Sequence, residues 1–245
     1  TAVLFCGGRG TRLYPVTDYY QKVMMPIGSL GKPMLEYVIE WLSKQGIKEF
    51  TALIRYRANQ IRRYFGKGEN WGVNIEYVLD NPDYKGTGGA LLNASKHVKT
   101  NDMLIYYTDI LSNFDVRKMY EYHKNHGKIG TSLLDKNWMV DEGIVQVDTD
   151  NKISKLSKRP NKEIFANTGV SFLNRKCFDY LNILAEQDQK PIDIDLSGHL
   201  FPYLAENEEM KAYFTDDWWL DVGSLTRHQL LDDQLLEDKF GRENQ

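Results

Sequence analysis

Residues 7–16 read GGRGTRLYPV, and Lys22 follows shortly after in QKVMMP. Gly7, Gly8 and Gly10 let the backbone turn tightly and aim successive N–H groups at one point, and Arg12 and Lys22 can bring positive charge to the same place. Backbone donors and cations that converge in this way are the make-up of a phosphate site. Two common glycine motifs do not describe the loop. The dinucleotide fingerprint G-x-G-x-x-G fits Gly8 and Gly10 and fails at Leu13, and no glycine is followed by Lys-Ser or Lys-Thr as a P-loop requires. A nicotinamide-dependent dehydrogenase is disfavoured on that ground.

The elements that must hold such a loop are legible around it. TAVLF, directly before the loop, is a short apolar run suited to a buried strand, and the first amphipathic helix follows at KPMLEYVIEWLSKQ. FTALI, a helix-like stretch over 59–65, VNIEYVL, a helix near 88–97 and MLIYY then take turns, and such alternation marks a parallel sheet. A glycine loop fed by a strand of that sheet lies at the carboxyl end, where ligands bind in doubly wound folds. After a helix near 116–125 the character changes. IGTSLL, GIVQVD, KISKLS and TGVSFLN follow one another with short polar breaks, which predicts antiparallel or mixed pairing on the same sheet. LTRHQLLDDQLLEDKF reads as a closing helix with Ser224 as its N-cap.

Two carboxylates fall where ligands would sit. Asp109 comes just after MLIYY, and Asp221 comes after WWL. Taken alone, an Asp in such a place more often caps a helix or a surface turn than holds a metal.

Together with Lys22 and Pro26, GGRGTRLYPVT is followed in order by GKPMLEY at 31–37, GTGGALLNA at 86–94, TDIL at 108–111, ANTGVSFL at 166–173 and WLDVGS at 219–224. This set resembles the signature of the sugar-1-phosphate nucleotidylyltransferases, over nearly the whole chain. The wording GTRLYPVT is most similar to the glucose-1-phosphate thymidylyl- and uridylyltransferases. The resemblance implies a mostly parallel, Rossmann-like α/β sheet, doubly wound, with a small antiparallel sugar-binding extension. It implies one domain over 1–245, with a nucleotide-binding half at 1–115 and a sugar-phosphate half at 116–245.

The resemblance also implies roles. Arg12 would hold the β- and γ-phosphates, Lys22 would bridge the α-phosphate and the sugar phosphate, and Asp109 with Asp221 would bind magnesium. Gly7, Gly8, Arg9, Gly10 and Thr11 form the phosphate loop, with Asn81, Gly86 and Thr87 toward the base and ribose. Arg159, in SKRP, stands for a phosphate-binding lysine, and Gly143, Asn167 and Gly169 face the sugar. The substrates implied are a nucleoside triphosphate and a sugar 1-phosphate. Glucose 1-phosphate with dTTP or UTP is the first expectation; mannose 1-phosphate with GTP, or a non-catalytic scaffold on the same fold, are the rivals. The chain departs from the family pattern at Thr108, where a glycine is usual and the added branching is expected to crowd the nucleotide. It departs also at Lys158, which replaces an acid, and at Gln21, where a proline is frequent and the turn is expected to be relaxed.

Composition is consistent with this. The 245 residues carry 42% hydrophobic and 27% charged side chains and a net charge of −3, against non-specific nucleic-acid binding. No apolar run approaches the ~20 residues that span a bilayer, so no membrane partner is expected and the cytoplasm is the default compartment. Similar proteins often form homo-oligomers. Cys6 and Cys177 offer no disulfide framework. His123 and His126 share a helix face without a third ligand and are expected on a solvated face, and Trp218 and Trp219 are expected to pack rather than stack on a base.

Overall fold

The computed structural model describes residues 1–136, 144–147, 152–157, 165–187 and 191–241. Its central sheet has seven strands: β1 (Ala2–Cys6), β2 (Glu49–Ile54), β3 (Asn74–Leu79), β4 (Asp102–Tyr107), β5 (Gly130–Asp135), β6 (Ala166–Asn174) and β7 (Met210–Thr215). Their order across the sheet is β7-β5-β6-β4-β1-β2-β3. β1 pairs in parallel with both β2 and β4, β2 with β3, and β5 with β7. Only β6 runs against its neighbours β4 and β5. The mostly parallel, mixed sheet expected from the alternating pattern is present, but GIVQVD and KISKLS do not join it as expected: Ile144–Val147 pairs antiparallel with Ile153–Ser157 as a separate two-stranded sheet.

The sheet is covered on both faces because successive strand residues point to opposite sides. In β1, Ala2, Leu4 and Cys6 join one core and Val3 the other. Helices α1 (Met34–Lys44), α2 (Ala58–Phe65) and α4 (Val116–His126) pack on the first face. The second face carries α3 (Gly86–Asn93), α5 (Cys177–Glu186) and α6 (Phe201–Glu206). α1 follows Pro33 and has no internal glycine or proline; it buries Met34, Leu35, Val38, Ile39 and Leu42 on a helical stripe. After β1 the chain crosses first to β2 on one side and later to β4 on the other. The crevice at the carboxyl ends of β1 and β4 is therefore the switch point at which such sheets bind ligands.

Three local expectations are corrected. The closing helix is broken into Leu225–His228 and Asp233–Leu236, because Asp232 accepts a bond from Leu235 N and begins a second N-cap; Ser224 caps the first piece as expected. His123 is not on a solvated face. It is 2% exposed, stacks on Phe172 and hydrogen-bonds Thr131 Oγ1 at 2.7 Å, so it is a satisfied core histidine. α3 starts at Gly86 and stops at Asn93, shorter than the sequence pattern indicated. Trp218 meets the Phe240 ring edge-on at 6.0 Å, in keeping with packing. Among the described residues, no helix is long and apolar enough to cross a membrane.

Candidate active site

β1 ends at Cys6, and the chain enters the glycine loop at the crevice. Gly10 sits at φ +66° with the place of a Cβ only 2.9 Å from Thr17 Cγ2 and 3.0 Å from Lys22 Cβ, so both conformation and space require glycine there. That close approach brings Lys22 against the loop. Lys22 is 8% exposed, and its Nζ lies 2.6 Å from Asp109 Oδ2. The pair spans the crevice from the loop after β1 to the turn after β4.

Asp221 arrives from a different part of the chain. Trp219–Asp221 pairs antiparallel with Ile110–Ser112, with Asp221 opposite Ile110, and Val222 N donates to Asp109 O at 2.8 Å. This two-stranded ribbon places the two aspartates side by side in the backbone. Asp221 Oδ1 accepts from Gly223 N at 2.7 Å, and Oδ2 pairs with Arg227 at 2.8 Å. Arg12 reaches the same spot: its Nη2 lies 3.1 Å from where a Cβ on Gly223 would stand.

These groups border a cavity of about 910 Å³ whose walls include Gly7, Gly8, Gly10, Thr11, Arg12, Lys22, Asn81, Gly86, Thr87 and Asp109. Asp221 is not part of the lining; it connects to it through Gly223, whose N donates to Asp221 Oδ1 at 2.7 Å. Arg9 turns away, over the Tyr56 ring at 5.4 Å, and is not part of the lining. Asn167 and Gly169 also lie outside the lining. They form an irregularity in β6 in which Asn167 Oδ1 accepts from Gly169 N at 3.0 Å, and Gly169, at φ +81°, backs onto Tyr107 of the cavity wall. Gly143, Lys158 and Arg159 fall outside the described residues.

Several lining groups carry no signal in the sequence. Asp80 joins the cavity with Arg55 3.9 Å away, and burial raises its carboxyl above the usual value. Asp193 and Asp195 enter with the segment that crosses the start of α3 and takes up the amides of Gly88 and Gly89. Ile194 O accepts from Gly88 N at 2.7 Å and Gly89 N at 3.1 Å, and a Cβ on Gly86 would stand 2.3 Å from that oxygen. The glycines at 88 and 89 thus serve a backbone crossing rather than ligand contact, while Gly86 and Thr87 do border the cavity. Gly223 could have been suspected from its place two residues after Asp221.

Two expected weaknesses prove otherwise. Thr108 borders the cavity, but its hydroxyl is turned back to donate to Phe5 O at 2.6 Å and the residue is 1% exposed. Gln21 does not relax the turn. Fully buried, it donates to Cys6 O and accepts from Val23 N at 2.6 Å. Burial pushes the Cys6 thiol up to about 12, which makes it an inert packing group.

The donor set suits a hard divalent ion. Asp221 ends one strand of the ribbon and Asp109 directly precedes the other, and magnesium is commonly held by one or two carboxylates with phosphate oxygens and waters completing its shell. Among the described residues no cluster of three or more His, Cys, Asp or Glu side chains forms a protein-only cage. Lys22 and Arg227 balance the two carboxylates within the protein itself.

The family model described as nucleotidyl transferase matches residues 1–233. The chain is 31% identical over 226 residues to the D-glycero-alpha-D-manno-heptose 1-phosphate guanylyltransferase of Campylobacter jejuni, covering 91% of this chain and 94% of that protein. It is likewise 31% identical over 228 residues to the bifunctional protein GlmU of Methanococcus maripaludis, covering 91% of this chain but 51% of the relative, so it spans about half that protein's length. Among solved structures, a Bacillus anthracis protein described as a glucose-1-phosphate thymidylyltransferase, in complex with sucrose, superposes with a TM-score of 0.76 at 21% identity, covering 99% of both chains. HddC from Yersinia pseudotuberculosis, complexed with GMP-PN, superposes with a TM-score of 0.69 at 21% identity, covering 96% of this chain and 98% of that one.

Proposed function

The chain belongs to the nucleotidyl transferase family, and from that premise we propose that it transfers a nucleotidyl group from a nucleoside triphosphate to a sugar 1-phosphate and releases pyrophosphate. The observation that carries this reading is the meeting of Arg12, Lys22 and Asp109 at one cavity beneath the glycine loop. In this reading the whole sheet acts as one catalytic unit, with the nucleotide held by 1–115 and the sugar phosphate by 116–245.

A sugar-phosphate oxygen attacks the α-phosphorus, a new P–O bond forms, the bond to the β-phosphate oxygen breaks, and pyrophosphate leaves with that electron pair. The second pKa of a phosphate monoester is near ~6, so the nucleophile is already dianionic at neutral pH and needs no general base. The obstacle is repulsion between anions, and catalysis is then mainly positioning and charge stabilisation. The planar Arg12 fork suits paired oxygens of the departing pyrophosphate, whereas the Lys22 ammonium is a compact charge that suits the α-phosphate and its incoming partner. The backbone amides of the glycine loop add fixed donors. Asp109 and Asp221 would hold a magnesium ion, which when bound neutralises phosphate charge. Asp109 also orients Lys22 by its 2.6 Å contact.

The loop wording GTRLYPVT supports glucose 1-phosphate with dTTP or UTP. A second reading, GTP with mannose or heptose 1-phosphate, is supported by the full-length match to a heptose 1-phosphate guanylyltransferase and by a mannose-1-phosphate guanyltransferase of Debaryomyces hansenii, 28% identical over 232 residues. Incubation with magnesium and each pairing of triphosphate with sugar 1-phosphate, followed by a pyrophosphate assay, decides between them. Release confined to the guanine pairings overturns the first, and release from no pairing overturns the enzyme and favours a scaffold.

A further inference from the structure

The carbonyl groups at the end of β1 are held in an uncommon way. Phe5 O accepts the Thr108 hydroxyl at 2.6 Å, and the next carbonyl, Cys6 O, accepts the side-chain amide of Gln21. Thr108 immediately precedes Asp109, and Gln21 immediately precedes Lys22. Consecutive carbonyls of one strand end therefore tether the two residues whose successors form the 2.6 Å ion pair in the cavity. Both tethering side chains are buried, Gln21 at 0% and Thr108 at 1% exposed. Both residues border the cavity, and each turns its polar group to the end of β1.

We infer that Gln21 and Thr108 are positioning residues, which fix Lys22 and Asp109 to the end of β1 and so set the geometry of the pair. Adjacent α-carbons are 3.8 Å apart, so a tether at one residue restricts its neighbour to little more than side-chain rotation. Gln21 is held at further points as well: its carbonyl oxygen Oε1 accepts from Val23 N, on the far side of Lys22, and its own N donates to Gln60 Oε1 at 2.6 Å. Lys22 is thus bracketed by one side chain. Its Cβ is also packed against the loop at Gly10, so a shift of the tether moves the glycine turn with it. A buried polar side chain that merely satisfied itself would need none of this arrangement around the reacting pair. The inference rests on the proposed roles of Lys22 and Asp109, but the placement it describes is measurable without turnover.

The test uses Thr108→Val and Gln21→Leu, which remove each tether at similar volume, and Thr108→Ser, which keeps the hydroxyl. Crystal structures of the variants give the distance from Lys22 Nζ to Asp109 Oδ2, and pyrophosphate release gives kcat and KM with a substrate pair that the wild type accepts. The expected result is a pair drawn apart in Thr108→Val and Gln21→Leu and a kcat lower by about fivefold, the equivalent of one hydrogen bond, with KM for the triphosphate little changed. Thr108→Ser keeps both the distance and the rate. In the Lys22→Met background, removing the Gln21 amide brings no further loss of rate. An unmoved pair in Thr108→Val, or a Thr108→Ser variant as impaired as Thr108→Val, overturns the inference. If Gln21→Leu does not fold, the two Thr108 variants decide. A wild type that releases no pyrophosphate counts against the proposed function alone, because the crystallographic distance still reads the tethers.

Discussion

The Lys22 ammonium and the Asp109 carboxylate, 87 residues apart in the chain, meet at 2.6 Å across the carboxyl ends of β1 and β4. A contact between these two side chains joins the glycine loop to the ribbon that carries Asp221. Removing Asp109 leaves the buried Lys22 charge unpaired, and removing Lys22 leaves a partly exposed carboxylate facing an anion site, so the consequences for turnover and for stability differ.

Asp109→Asn should lower the rate of pyrophosphate release by about 100-fold or more, since it removes a full charge from a site built on charge stabilisation. Circular dichroism should stay close to that of the wild type, because the amide keeps the shape of the side chain, while the melting temperature should fall because Lys22, 8% exposed, loses its counter-charge. An active Asp109→Asn enzyme would show that the metal and Lys22 are organised by another residue.

Chelation by EDTA should stop pyrophosphate release and leave the melting temperature of the free protein unchanged. Lys22 and Arg227 already balance Asp109 and Asp221 within the protein, so the fold does not lean on an ion for that balance. A large loss of melting temperature on chelation would contradict this account.

Gly86 and Gly8 make a contrasting pair. Gly86 lies at φ +70°, and a methyl there would meet Ile194 O at 2.3 Å, so Gly86→Ala should destabilise the fold by about 2 kcal/mol or more and lower Tm by roughly 5 °C. At Gly8 nothing lies within 4 Å of the added methyl, so Gly8→Ala should melt like the wild type and instead raise KM for the triphosphate. Thermal melts and steady-state kinetics of both variants check the pair.

Burial holds the imidazoles of His123, His126 and His228 below the ordinary value. Below about pH 6.5 the unfolded chain binds protons at these positions that the folded chain resists, so stability present at neutral pH is lost progressively as pH falls toward the folded values. Asp102 faces His123 at 3.6 Å and moderates the effect, with Lys124 and His126 opposing it. Tm measured from pH 8 to pH 5 should fall across that range, and His123→Gln should flatten part of the slope.

Much of this was legible before the fold was known. The loop, Lys22 and the strand that feeds them follow from local apolar runs, glycine spacing and charge, Asp109 stands out only by its place in a motif that resembles the family's, and the mostly parallel sheet follows from the alternation of elements. What escaped notice depends on contacts far apart in sequence. Nothing local tells that the Gln21 amide will find Cys6 O, that the Thr108 hydroxyl will turn to Phe5 O, or that Ile194 O will occupy the amides of Gly88 and Gly89. His123 looked solvated because its helix neighbours are polar, yet Thr131 on β5 and Asp102 on β4 give it partners inside. The break at Asp232 escaped notice because an apolar pattern continues through it.

The most direct test of the central claim is pyrophosphate release by the wild-type protein with magnesium, a triphosphate and a sugar 1-phosphate, run beside the same mixture lacking the sugar 1-phosphate. The account predicts release that requires all three and yields a nucleoside diphosphate sugar in equal amount. Release that is indifferent to the sugar 1-phosphate, or none with any pairing, would contradict it.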